Sequence, residues 1–233
     1  MAFNNYGNRF QQTTPIVLNL VIINVLVYLA QMVTGGDQEP NAAADLFALH
    51  HYKSIYFQPY QIVTHMFMHG GFFHLLFNMF ALWMFGSMVE RVWGPKRFLI
   101  FYFICGLSAA FFQLGSYAYD FWQYDHRVLG EELYTLYQAN LRNGYTVGAS
   151  GAIMGILAAF GYLFPNTEMI IIPIPVPVKA KWAISGMIAL DVFGGVVKVQ
   201  DDNIAHFAHV GGAAVGFLLV LIWNKTNKVF IRI

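Results

Sequence analysis

A chain of 233 residues would suit one or two soluble domains by length, but 58% of it is apolar and only 11% is charged, where soluble domains carry about 25% charged residues. A net charge of +1 gives no electrostatic basis for a nucleic-acid partner. The single Cys105 lies inside an apolar run, which excludes a disulfide framework and a thiolate metal site.

Residues 1–14 are polar and rich in Asn and Gln, without the basic start and small-residue cleavage site of a signal peptide. Six apolar runs follow, at roughly 16–33, 72–92, 97–117, 148–164, 180–198 and 203–223. Each is close to the 17–25 residues, roughly, that a helix needs to cross a bilayer. Helices are the spanning structure expected, because hydrocarbon offers backbone groups no partner. Pro173, Pro175 and Pro177 break the segment between the fourth and fifth runs, which reads as a loop. The domain reading is a short polar segment 1–14, a six-helix membrane domain 15–224 and a basic tail 225–233.

The basic residues set the expected orientation. With the N-terminus inside, the inner segments hold Arg9, Arg91, Lys96, Arg97, Lys179, Lys181, Lys225, Lys228 and Arg232, nine of the 13 Lys and Arg. The positive-inside rule favours that choice and puts both termini in the cytoplasm. Two outer segments are then long. Residues 34–71 turn apolar and aromatic in their second half and are expected to lie partly in the membrane interface. Residues 118–147 are polar and are expected above the bilayer.

Polar residues gather near the outer start of the second, fourth and sixth spans. These are His74 and Asn78 on one helical face, Ser150, and His206 and His209. Ionisable groups inside a membrane are rare and are functional candidates by default. Gly151-x-x-x-Gly155 on the fourth span and Gly212-x-x-x-Gly216 on the sixth are faces that let two helices approach closely. If they meet, Ser150 and His209 come to hydrogen-bonding distance, the arrangement that activates a weak hydroxyl nucleophile. Asn78, His74 and the Ser150 backbone N–H could then face an oxyanion, in a stretch where Gly148 and Ala149 leave room.

With His65-Met66-Phe67-Met68-His69, His74-x-x-x-Asn78, Gly148-Ala149-Ser150-Gly151 and Ala208-His209-x-x-Gly212-x-x-x-Gly216 in this order, the chain resembles the rhomboid intramembrane serine proteases over roughly residues 15–224. The resemblance implies an all-α, six-transmembrane-helix bundle with a water-filled cavity open to the outside. It implies Ser150 as nucleophile and His209 as general base. Asn78, His74, Gly148 and Ser150 would form the oxyanion hole. It implies no cofactor and no metal, transmembrane protein substrates, and a multi-pass place in a membrane, read as the bacterial inner membrane. His65, His69 and the Glu90-Arg91 pair match structural positions of the family. Tyr60-Gln61 stands where many bacterial members carry Trp-Arg, and Met154 stands where some carry a tyrosine.

Two other classes compete. A metal protein would draw on His65, His69, His74, His206 and His209, but no carboxylate follows any of them at ligand spacing. A non-catalytic rhomboid relative would bind membrane proteins without cutting them. His206 reads as a solvated or structural residue. Asp191, in the fifth span, reads as a structural group at a helix contact, with a third catalytic member as the lesser alternative. The candidate gate is the fifth span, which carries Gly186, Gly194 and Gly195, with the first half of the outer loops.

Overall fold

The computed structural model describes residues 13–34, 42–126, 144–171, 174–197 and 205–227. The polar start, the end of the basic tail and most of the segment 118–147 lie outside the described residues.

The first helix, α1 (Pro15–Val33), opens with proline at its first position, where no N–H is needed. Its next amides are capped from another helix. Ile16 and Val17 N–H donate to the two Glu90 carboxylate oxygens at 3.0 and 2.9 Å. Glu90 thus acts as an N-terminal cap for α1, favoured also by the helix dipole. The buried stripe Val17, Leu20, Asn24, Tyr28 and Gln31 recurs at steps of three and four residues and faces the bundle. Leu18, Ile22, Leu26, Leu29 and Met32 face outward.

The described part of the segment between α1 and the next long helix is folded. It forms α2 (Ala42–Phe47), a short strand β1 (Leu49–His50), α3 (Gln61–Thr64) and a 3₁₀ turn (His65–Phe67). Its knot is Gln61, fully buried. The Gln61 amide donates to the Tyr56 and Leu46 carbonyls at 2.8 and 3.2 Å, and its oxygen accepts from Gln58 N–H at 3.1 Å. So Gln61, one of the positions at which the chain departs from the pattern it resembles, is the hub of this loop.

Helix α4 (Phe72–Trp93) contains a π turn at Leu82–Gly86. The long α5 (Pro95–His126) has 32 residues, about 48 Å at 1.5 Å per residue. It runs well past the expected 97–117. Strand β2 (Tyr145–Thr146) pairs antiparallel with β1, Leu49 against Thr146 and His50 against Tyr145. Helix α6 (Ser150–Leu163) follows, buried all the way from Gly151 to Phe160, which makes it the centre of the bundle.

Two sequence expectations are corrected here. Helix α6 has 14 residues, about 21 Å, not the full span of 148–164. Gly148 has φ 125° and holds the preceding chain outside helical geometry. At the other end Phe164 precedes Pro165, which disfavours helix at Phe164. The proline-rich segment is not a plain loop either. Strands β3 (Glu168–Ile171) and β4 (Ile174–Lys179) form an antiparallel hairpin with Glu168 opposite Lys179. Each strand of a two-stranded ribbon keeps one free edge, and Pro175 and Pro177, two apart, place their missing N–H groups on the same edge.

Helices α7 (Ala180–Val197) and α8 (His206–Asn227) complete the fold. Among the described residues, five helices, α1, α4, α5, α7 and α8, are long and apolar enough to cross a membrane. Their outward faces carry Phe73, Phe77, Trp83, Trp182, Leu190 and Phe193, all well exposed. Such a continuous apolar surface suits hydrocarbon rather than water. The fold is a mostly helical, multi-pass membrane bundle, with its small strands confined to connections.

Candidate active site

Ser150 is the first residue of α6, and its approach is set by Gly148. A Cβ on Gly148 would stand 2.9 Å from the His74 Cε1 and Nε2 atoms and 3.5 Å from Ser150 Oγ. No larger residue fits between serine and imidazole, and φ 125° is itself a glycine conformation. The Gly148 N–H donates to the His65 carbonyl at 2.9 Å. That bond, with the β1–β2 pairing, ties the chain before Ser150 to the segment between α1 and α4. It also takes the Gly148 N–H away from an oxyanion, so Gly148 contributes space rather than the donor expected of it. The Ser150 amide, at the start of α6, is one of the groups that a helix leaves without an internal partner.

The imidazole beside Ser150 comes from α8. His209 Nε2 lies 2.8 Å from Ser150 Oγ. The glycine faces explain the distance. A Cβ on Gly212 would overlap the Gly151 carbonyl, and one on Gly216 would stand 2.6 Å from Gly155 Cα. Helices α6 and α8 therefore meet backbone to backbone, as the small-x-x-x-small spacing predicts. On its far side α6 is packed as tightly: a Cβ on Gly151 would overlap Ala109 of α5, and one on Gly155 would overlap Cys105. Cys105 is thus a buried packing residue.

The Ser150–His209 pair extends to a carboxylate. His209 Nδ1 is 3.0 Å from Asp191 Oδ1, and His206 Nδ1 is 2.8 Å from the same oxygen. A carboxylate only accepts, so both histidines donate from Nδ1. In neutral His209 the bare Nε2 then accepts the Ser150 hydroxyl. The fifth run holds one acidic residue, Asp191, and that was the signal for a partner in the sequence. His206, read as solvated or structural, packs on α7: a Cβ on Gly194 would stand 2.6 Å from its ring. Gly194 is therefore a seat for an imidazole, whereas Gly186 faces open space.

Facing the serine, His74 Nδ1 accepts a long hydrogen bond of 3.4 Å from Gly70 N–H, which leaves the proton on Nε2, one of the two ring atoms turned toward Gly148. Asn78 is buried one turn further, and its Nδ2 has no hydrogen-bond partner among the described residues. Behind His74 stands His69, ring to ring at 5.2 Å and edge-on. The His69 backbone is clamped by Gln31 of α1, which accepts its N–H at 3.0 Å and donates to its carbonyl at 3.1 Å. Burial, with the nearby His74, pushes the pKa of His69 down to about 3. Burial pushes His65 down to about 4, and its Nδ1 donates to the Gln61 carbonyl at 2.9 Å. Both loop histidines are thus neutral, structural groups. Among the described residues no three His, Cys, Asp or Glu groups converge as metal ligands would.

The arrangement is a hydroxyl bonded to an imidazole, with candidate donors on the opposite side, at one end of an apolar bundle. A family model described as Rhomboid domain matches residues 56–225. The "Rhomboid protease AarA" of Providencia stuartii is 32% identical over 218 residues, 89% of this chain and 72% of that protein. The "Rhomboid protein 1, mitochondrial" of Saccharomyces cerevisiae is 30% identical over 67% of this chain and 40% of its own length. The human "Presenilin-associated rhomboid-like protein, mitochondrial" is 27% identical over 95% of this chain and 53% of its own. The chain spans about half the length, or less, of these two mitochondrial relatives.

Proposed function

This chain belongs to the rhomboid family, and on that premise we propose that it is a serine-type endopeptidase that cuts transmembrane protein substrates within the membrane. The observation that carries the reading is the 2.8 Å contact from Ser150 Oγ to His209 Nε2. Ser150 Oγ attacks the scissile carbonyl carbon while His209 Nε2 takes the hydroxyl proton. The resulting oxyanion is held by the Ser150 N–H, Asn78 Nδ2 and His74 Nε2–H. The C–N bond then breaks, and His209 returns its proton to the leaving amine. Water, deprotonated by His209, attacks the acyl-serine, releases the acid product and restores Ser150.

The membrane domain is residues 15–224, with α1, α4, α5, α6, α7 and α8 as six spans and both termini cytoplasmic. The distribution of Lys and Arg supports that orientation. The length of α6, about 21 Å against roughly 30 Å of hydrocarbon, suits a serine sunk below the outer face and reached by a water-filled cavity. A substrate helix in lipid has its backbone fully paired and must unwind before its carbonyl is available. Cleavage is therefore expected near the outer end of a single span, at small residues. Gly148, Ala149 and Gly151 leave room for backbone there. The similarity to a bacterial relative suits the bacterial inner membrane.

The test is labelling by a fluorophosphonate probe in detergent, together with cleavage of a single-span reporter in liposomes. Wild type should label and cleave, and Ser150→Ala and His209→Ala should do neither while remaining folded. Labelling that persists in Ser150→Ala sinks the assignment. A folded wild type that neither labels nor cleaves favours the non-catalytic relative.

A further inference from the structure

We propose that Asp191 positions His209 for catalysis, so that Ser150, His209 and Asp191 work as a triad in which the carboxylate fixes the base. The proposal rests on the serine-protease reading above and adds a residue to it. The three groups form one continuous chain through the two nitrogens of a single imidazole. Asp191 Oδ1 lies 3.0 Å from His209 Nδ1, and His209 Nε2 lies 2.8 Å from Ser150 Oγ. A carboxylate on Nδ1 admits one neutral tautomer, with Nδ1 protonated and Nε2 bare. That is the tautomer that accepts the Ser150 proton. A histidine without such a partner is free to carry its proton on Nε2 and present a donor to the serine, which is unproductive.

The carboxylate is itself held. His206 Nδ1 donates to the same Oδ1 at 2.8 Å, and His206 is seated on α7 with its ring against Gly194 and its Cβ against Gly195. Asp191 therefore accepts from two imidazoles on the first turn of α8, His206 and His209, and cannot rotate away without giving up both. If Asp191 served only to fasten α7 to α8, the His206 bond would suffice. The second bond, to the nitrogen opposite the serine, is what a positioning role requires. The three side chains are sheltered, with His206 13%, His209 17% and Asp191 14% exposed, so water competes little for these bonds. A carboxylate in an apolar helix is costly, and this arrangement supplies its reason.

The measurement combines kinetics with the protonation site of His209. Asp191→Asn is nearly isosteric, but its amide can donate to Nδ1 and hold the wrong tautomer. In the serine-protease template such a change costs about 10⁴ in kcat. Here the expected loss is about 10²- to 10⁴-fold in kcat and in fluorophosphonate labelling, with KM for a single-span reporter within about threefold. The ¹⁵N spectrum of histidine-labelled wild type, with His209 assigned by comparison with His209→Gln, should report Nδ1 protonated and Nε2 bare in the neutral form of His209. This second measurement needs no Asp191 variant, so it decides the matter even if Asp191→Asn fails to fold. A folded Asp191→Asn with kcat within about threefold of wild type, or a neutral wild-type His209 protonated on Nε2, overturns the triad. If labelling vanishes in Ser150→Ala while Asp191→Asn labels normally, the triad fails and the protease reading stands. If labelling survives in Ser150→Ala, that reading itself fails.

Discussion

The contact between α6 and α8 can be loosened by a single methyl group, far from the serine. Gly216 lies two turns along α8 from His209 and faces Gly155, five residues after Ser150. A Cβ added at Gly216 would stand 2.6 Å from Gly155 Cα and 2.9 Å from its carbonyl oxygen. Carbon atoms rest at about 3.5–4.0 Å, and both obstructing atoms are backbone, so no rotamer change relieves the clash. The helices must part by roughly 1 Å. Applied at the outer end, that shift takes the Ser150–His209 separation from 2.8 Å to about 3.8 Å, outside hydrogen-bonding range. A misplacement of about 1 Å in a catalytic pair costs about 10²-fold in rate, and overpacking costs about 1–3 kcal/mol in stability. Gly216→Ala should therefore lower fluorophosphonate labelling about 100-fold in protein that still unfolds cooperatively. The comparison is Gly115→Ala on α5, where nothing lies within 4 Å of the added methyl. That change should leave labelling intact and stabilise the helix by about 0.5–1 kcal/mol. Wild-type labelling in Gly216→Ala would refute the claim that backbone contact between α6 and α8 sets the Ser150–His209 distance.

Asn78→Ala should lower kcat about 10²-fold by removing one preorganised donor. His74→Ala should lower it less, and a silent Asn78→Ala in the liposome cleavage assay would leave the oxyanion to His74 and the Ser150 amide. Glu90→Ala strips the cap from the Ile16 and Val17 amides and should cost about 2–4 kcal/mol in unfolding free energy, while the folded fraction labels normally. Glu90→Gln, which keeps one acceptor oxygen, should cost less, and equal stability of all three proteins in a denaturant titration would rule out the capping role. Stability should also depend on pH through His65, whose folded pKa is about 4 against 6.5 for the free side chain. The unfolded chain binds the proton more readily, so this contribution is fully present above pH 6.5 and is lost as pH falls toward 4. For His65 alone it amounts to about 2 kcal/mol by pH 5. His69, at about 3, acts in the same direction. An unfolding midpoint that stays flat from pH 7 to about pH 5 would contradict neutral burial of these two histidines.

The sequence alone determined the features that follow from period, composition and spacing. Apolar runs of spanning length need helices because hydrocarbon pairs no backbone group. The small-x-x-x-small repeats at Gly151, Gly155, Gly212 and Gly216 named the two faces that meet, because only glycine lets backbones touch. Together with the depth of Ser150 and His209 in their runs, that was enough to place hydroxyl beside imidazole. What lay beyond a single helix needed the tertiary structure. Asp191 announced itself as a carboxylate in an apolar run, but which imidazole it meets depends on how α7 is rotated against α8. The partners of Glu90 sit 73 and 74 residues away, and Arg91, its neighbour in sequence, takes no part in that cap. Gln61 looks like an ordinary polar loop residue until the backbone carbonyls of Leu46 and Tyr56 fold around it. The short α6 and the β3–β4 hairpin were hidden for a related reason. Hydropathy reports that Gly148, Ala149 and the Pro173–Pro177 stretch are apolar. It does not report that one glycine at φ 125° and the strand pairing before it hold the chain out of the helix until Ser150. Composition fixes which solvent a segment prefers, whereas a hydrogen bond between distant side chains exists only once the packing of the bundle has set both ends.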